Sequence, residues 1–120
     1  MYILIWLFFI HFIGDFVCQS RYIAENKGMK FSILLLHVLI YISVIWLGLS
    51  FILPTIPLGK FLLLNYLLHV LTDFITSKFT TYFWLKENKY GFFTTVGFDQ
   101  FLHISTLTLS LEIIQNVSSV

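Results

Sequence analysis

Charge is what this sequence has least of. Of its 120 residues, seven are Lys or Arg and six are Asp or Glu, 11% together, for a net charge of +1. A soluble domain carries roughly a quarter of its residues as charged side chains, so this chain cannot clothe a water-facing surface. No basic run or basic face marks a nucleic-acid partner, and none is expected. The single cysteine, Cys18, excludes an internal disulfide; lying in an apolar segment, it reads as a packing residue. Proline occurs only at Pro54 and Pro57, close to Gly59, so a tight turn is expected over residues 54–60. No Lys or Arg precedes the first apolar stretch, and Gly14-Asp15 interrupts any small-residue cleavage pattern. The N-terminal segment therefore reads as a retained helix and not as a removed signal peptide.

What fills the chain is hydrocarbon. Hydrophobic residues make up 58% and aromatics 19%, and the mean hydropathy is +0.90. Crossing about 30 Å of hydrocarbon takes roughly 20 apolar residues at about 1.5 Å each. Candidate spans fall at about residues 2–19, 31–53, 61–77 and 92–114. The expected fold class is all-α, an integral membrane four-helix bundle forming one transmembrane domain over residues 1–120. Polar stretches at 20–30 and 78–90 separate spans, the second rich in Tyr, Trp and Lys as suits a headgroup region. They hold Arg21, Lys27, Lys30, Lys78, Lys86 and Lys89, against Lys60 alone on the other side. The positive-inside rule then places both polar stretches in the cytoplasm and both termini outside it. The expected location is the plasma membrane.

Each span carries one histidine: His11, His37, His69 and His103. Three carry an aspartate four residues away, in the pairs His11/Asp15, His69/Asp73 and Asp99/His103. Residues four apart share a helix face, so each pair can act together. The order reverses in the last span, as antiparallel helices require if like groups are to share a layer. Counted from the expected cytoplasmic ends, the three aspartates lie one to two turns in and the histidines about a turn deeper. An aspartate at a helix centre costs about 2.5–3.5 kcal/mol on insertion scales. Three such groups at one depth must face each other, a cavity or an ion. A lone intramembrane histidine is more often an interhelical hydrogen bond than a ligand; four with three aspartates in one slab point to a site. His11, His37, His69, His103, Asp15, Asp73 and Asp99 are suitable ligands for a divalent Zn, Mn or Fe ion. Gln19, one turn from Asp15, is a candidate for contact with Asp15 or a substrate. Gln100 adjoins Asp99 but points about 100° away around the helix. Tyr41 and Asn65 lie one turn from His37 and His69 and read as packing or helix glue.

The ordered pieces carry a resemblance. They are residues 11–19 with His11, Asp15 and Gln19, then Ala24-Glu25-Asn26-Lys27, then residues 36–41 with His37. Residues 68–78 with His69 and Asp73, and residues 99–103 with Asp99, Gln100 and His103, complete the set. The set resembles the small bacterial and phage membrane proteins grouped as domain of unknown function 3307. The resemblance implies a fold, a location in the inner membrane of a bacterium or phage-infected host, and a polar site at His11, Asp15, Gln19, His37, His69, Asp73, Asp99, Gln100 and His103. It implies no particular activity. The chain is also distantly similar to membrane-bound metal-dependent hydrolases. A fainter internal echo links His11-x-x-x-Asp15-Phe16 to His69-x-x-x-Asp73-Phe74, each followed by a basic residue, Arg21 or Lys78.

Three functions stay open on these residues. The leading one is a metal-dependent hydrolase acting on a membrane lipid or similar amphipathic substrate, with Asp15, Asp73 and Asp99 as catalytic carboxylates. The second is a proton or metal-ion carrier, which needs polar access from both faces. The third is a structural or regulatory small membrane protein. Association into a homo-oligomer is compatible with all three.

Overall fold

The computed structural model describes residues 2–118, which contain helices and no strand. Helix α1, Tyr2–Phe12, runs directly into one π turn, Ile13–Val17. A six-residue helix α2, Arg21–Asn26, follows; the Ser20 hydroxyl caps it by accepting from the Ile23 amide at 3.3 Å. The three long helices are α3, Phe31–Leu49, α4, Thr55–Leu85, and α5, Lys89–Ser118. Helix α1 packs on α3, α3 on α4, and α4 along α5, which returns to α1. The closed bundle measures 50 × 24 × 20 Å.

Two boundaries differ from expectation. The turn at 54–60 is shorter than expected, because Pro54 is the N-cap of α4 and both Pro57 and Gly59 are helical. The first N–H groups of a helix have no intrahelical acceptor, so Pro57 removes no bond there. The mixed stretch 78–90 is helical up to Leu85. Only a short turn separates α4 from α5, with Glu87 at φ 54° in the left-handed conformation that ends many helices. The Asn88 side chain then caps α5 by accepting from the Gly91 amide at 2.8 Å.

The burial pattern is inside-out for a water-soluble protein. Leu63, Leu67 and Leu71 form an exposed stripe on α4, and Leu36, Leu39, Leu47, Phe9 and Phe101 also face outward. The buried residues include His, Asp, Asn, Thr and Ser. A lipid-facing surface has this character, since apolar faces this extensive are rare on soluble monomers. Helix α3 and residues 57–85 are long and apolar enough to cross a membrane. The segment Tyr2–Val17 is apolar but shorter, and α5 interleaves Lys89, Asp99 and Glu112 with Thr and Ser. Cys18, expected to pack, is exposed just beyond the π turn.

Lengthwise the bundle has two halves. In one, Leu7, Ile10, Ile45, Leu49, Phe61, Leu107, Leu111 and Ile114 form a continuous apolar core. Asn65 sits at its border, bonded to Ser110 at 2.8 Å and to the Phe61 carbonyl at 2.9 Å, and acts as helix glue. The other half holds the histidines and aspartates.

Candidate metal centre

Local backbone geometry aims the first carboxylate. The Cys18 amide reaches back five residues to the Ile13 carbonyl at 2.9 Å, which defines the π turn. Such turns frequently occur at functional sites. Gly14 lies inside it because α3 passes too close for a side chain: a Cβ there would sit 2.9 Å from Tyr41 Cδ2. Asp15, next in sequence, points inward and is 3% exposed.

The bundle brings all four histidines and all three aspartates together, each buried. The within-helix pairs lie at 4.0 Å for His11/Asp15, 3.6 Å for His69/Asp73 and 3.3 Å for Asp99/His103. The closest histidine contacts of Asp15 and Asp73 run between helices instead. Asp15 Oδ1 is 3.1 Å from His37 Nε2, and Asp73 Oδ1 is 3.0 Å from His103 Nε2.

Four side chains converge most tightly. His37 Nε2 lies 3.1 Å from Asp15 Oδ1, 3.3 Å from Asp73 Oδ2 and 3.3 Å from His69 Nε2. His69 Nε2 lies 3.5 Å from Asp15 Oδ1 and 3.6 Å from Asp73 Oδ2. Ligands at about 2.0–2.1 Å from a tetrahedral ion stand roughly 3.3–3.4 Å apart. Five edges of this ligand set are therefore near tetrahedral spacing, and one ligand atom from each of the four residues lies within 4.8 Å of the others.

His11, also expected as a ligand, stands apart from the converging set. Both its ring nitrogens are engaged, Nδ1 with the Tyr41 hydroxyl at 3.1 Å and Nε2 with Gln100 Oε1 at 2.9 Å. It belongs to neither group of converging ligand atoms found among the described residues. The Gln100 amide nitrogen donates to Asp15 Oδ2 at 2.7 Å and to Asp99 Oδ2 at 3.1 Å. That orientation leaves its oxygen to accept from His11 Nε2–H, so His11 Nδ1 accepts from Tyr41. Tyr41, His11 and Gln100 thus form one directed chain ending on two carboxylates. Thr76 steadies the other side of Asp99, donating to Oδ1 at 2.5 Å. Gln100 is central although helix geometry aims it away from Asp99: its long side chain bridges to α1.

Sequence reasoning missed Lys27. Its ammonium donates to Asp73 Oδ2 at 2.7 Å and lies 3.4 Å from His37 Nε2. Burial alone would lower its pKa, but the carboxylates of Asp73, Asp15 and Asp99 outweigh burial and raise it above its ordinary value. Gly28 makes the placement feasible. A Cβ there would come within 2.5 Å of the Ser77 carbonyl oxygen, so only glycine lets this turn lie on α4. The basic residues of the internal echo stay outside: Arg21 pairs with Glu25 at 2.7 Å, and Lys78 lies over the Phe74 ring.

A cavity of about 280 Å³ opens onto the cluster. Asp15, Asp73, Asp99, Gln100 and Lys27 line it, with Phe16, Phe92, Phe93 and Val96 among its apolar wall residues. The histidines stand behind the carboxylates and do not line it. Gln19 also lies at the cavity, and its buried Oε1 has no hydrogen-bond partner among the described residues, Asp15 included.

The family model described as "Protein of unknown function (DUF3307)" matches residues 3–120. No curated protein and no solved structure matches the chain, so the distant likeness to metal-dependent hydrolases gains nothing from these comparisons. The match spans nearly the whole length, and the chain belongs to the DUF3307 family.

Proposed function

We propose that this chain spans the membrane four times and holds a divalent Zn, Mn or Fe ion between Asp15, His37, His69 and Asp73, near the cytoplasmic face. We further propose that the centre serves hydrolysis of a lipid-like substrate. The observation that carries the metal reading is the crowding at one atom. His37 Nε2 has four polar neighbours within 3.4 Å, namely two carboxylate oxygens, a second imidazole nitrogen and the Lys27 ammonium. One ring nitrogen carries at most one hydrogen and cannot serve four partners. Convergence on a shared cation accounts for the two carboxylate oxygens and the second imidazole nitrogen, while the ammonium pairs with Asp73. Charge is compatible with the same reading: once the histidines are neutral ligands, three carboxylates and one ammonium leave two negative charges for a divalent ion to cancel.

The cavity supports an enzyme over a carrier. Its polar floor is reached from the side of α2 and the α4–α5 turn, and its apolar walls suit an acyl chain or similar group. Beyond the cluster, Leu7, Phe61 and Leu107 close the bundle, so the described residues supply no polar path to the opposite face. A bound divalent ion would lower the pKa of a water toward neutrality and make it a nucleophile. Asp99, outside the tetrahedral set and lining the cavity, is placed to take a proton. Lys27 is placed to meet an anionic headgroup. The Tyr41–His11–Gln100 chain holds Asp15 and Asp99 in position.

Elemental analysis tests the metal reading, using full-length protein purified in detergent without a His-tag. A stoichiometric transition metal, absent from His37→Ala and His69→Ala, is the expected result. Protein that stays metal-free after incubation with Zn, Mn or Fe would sink it. For the hydrolytic half, metal-loaded protein goes into vesicles of phosphatidylethanolamine and phosphatidylglycerol. Mass spectrometry should show lipid cleavage products that vanish with Asp73→Asn; unchanged lipids would overturn hydrolysis while leaving the metal in place.

A further inference from the structure

The geometry points to a second cation site beside the first, formed by His103, Asp99 and the outer oxygens of Asp15 and Asp73, so that the centre is dinuclear with bridging carboxylates. This rests on the metal reading above and extends it.

The two carboxylates are divided between two environments. Asp73 Oδ2 faces His37, His69 and Lys27, while its Oδ1 is 3.0 Å from His103 Nε2. Asp15 Oδ1 faces His37 and His69, while its Oδ2 is turned to Gln100. Each carboxylate therefore offers one oxygen inside the tetrahedral set and one outside it. On the outer side, His103 Nε2 is 3.3 Å from Asp99 Oδ1, again near the ligand spacing of a small divalent ion. Asp15, Asp99 and His103 each present a ligand atom within 4.8 Å of the other two.

His103 repeats the signature of His37 in milder form. Its single Nε2 faces two carboxylate oxygens on different helices. Gln100 occupies the remaining gap. Its neutral amide nitrogen bridges Asp15 Oδ2 and Asp99 Oδ2 at 2.7 and 3.1 Å, drawing together two charges that otherwise repel. Two-metal sites place their ions about 3.5–4 Å apart, a span one carboxylate bridges. Three of the residues in this outer set, Asp15, Asp73 and Asp99, line the cavity, so the second ion would be open to an entering ligand. Two divalent ions bring four positive charges to three carboxylates and, with the Lys27 ammonium, leave two positive charges for an entering anionic ligand to balance.

Manganese is the probe. Full-length detergent-purified protein is stripped with chelator, titrated with Mn(II), and examined by elemental analysis and electron paramagnetic resonance. The proposal expects two equivalents and a spin-coupled spectrum. Asp99→Asn and His103→Ala should each bind a single equivalent and show the spectrum of an isolated ion. Saturation at one equivalent in the wild type, kept by both variants, overturns the second site and leaves the first intact. Two uncoupled equivalents unaffected by the variants overturn it as well, since the second ion then lies elsewhere. No binding at all removes the metal reading itself. Should either variant fail to fold by circular dichroism and gel filtration, wild-type stoichiometry and coupling still decide.

Discussion

Phe61 and Asp73 lie about three turns apart on α4, and both are sealed, at 0% and 1% exposure. Phe61 belongs to a layer with Leu7, Leu107 and Leu111, where neighbours need only shape. Asp73 belongs to a layer where Lys27, His37, His69 and His103 all approach one carboxylate. The apolar layer meets its own requirements when the helices close. The polar layer crowds carboxylates, imidazoles and an ammonium into one buried cluster, and its His and Asp groups could hold a metal ion.

The sharpest way to separate the two halves is a pair of substitutions of similar cost. Phe61→Ala should destabilise the bundle by about 3–5 kcal/mol through lost contacts and a residual cavity. Lys27→Met should cost the chelator-stripped protein a comparable amount, about 3–5 kcal/mol, by leaving Asp73 buried without its counter-charge. Saturating metal should rescue the second variant and not the first. Detergent unfolding curves with and without Zn read both, and a Lys27→Met deficit that persists with metal would break the distinction.

A smaller effect is expected from Gln100→Leu, which keeps the bulk of the side chain and removes the bridge between His11, Asp15 and Asp99. Loss of a group that orients ligands typically costs about 10–100-fold in metal affinity. Competition against a fluorescent chelator measures it; unchanged affinity would reduce the Tyr41–His11–Gln100 chain to packing.

The site was more legible in the sequence than the chain path around it. Counting His and Asp at four-residue spacing and reversing the order in the last span was enough to place seven groups in one slab. That worked because buried charge in an apolar bundle can only be arranged in a few ways. Lys27 escaped notice because a lysine in a polar stretch looks solvated; the clue was the adjacent Gly28, which lets that stretch lie on α4. Gln100 was misjudged from the helical wheel, since angular position ignores the reach of a long side chain toward α1. Residues 78–85 read as interfacial because of their mixed composition, yet helix propagation carries α4 through them. Composition measures where a residue is comfortable, and it does not measure where the backbone stops.

The π turn at Ile13–Val17 carries one more lesson, about counting. Residues upstream and downstream of it are held in phase by the extra residue in that turn. Deleting Ile13 would hardly alter the hydropathy of the segment, yet it would let the turn close as ordinary α-helix and change the His11/Asp15 spacing from four residues to three. Every His and Asp would remain in the chain, with only the local backbone that aims Asp15 changed. Placement of that carboxylate thus depends on the local winding of the helix as well as on residue identity.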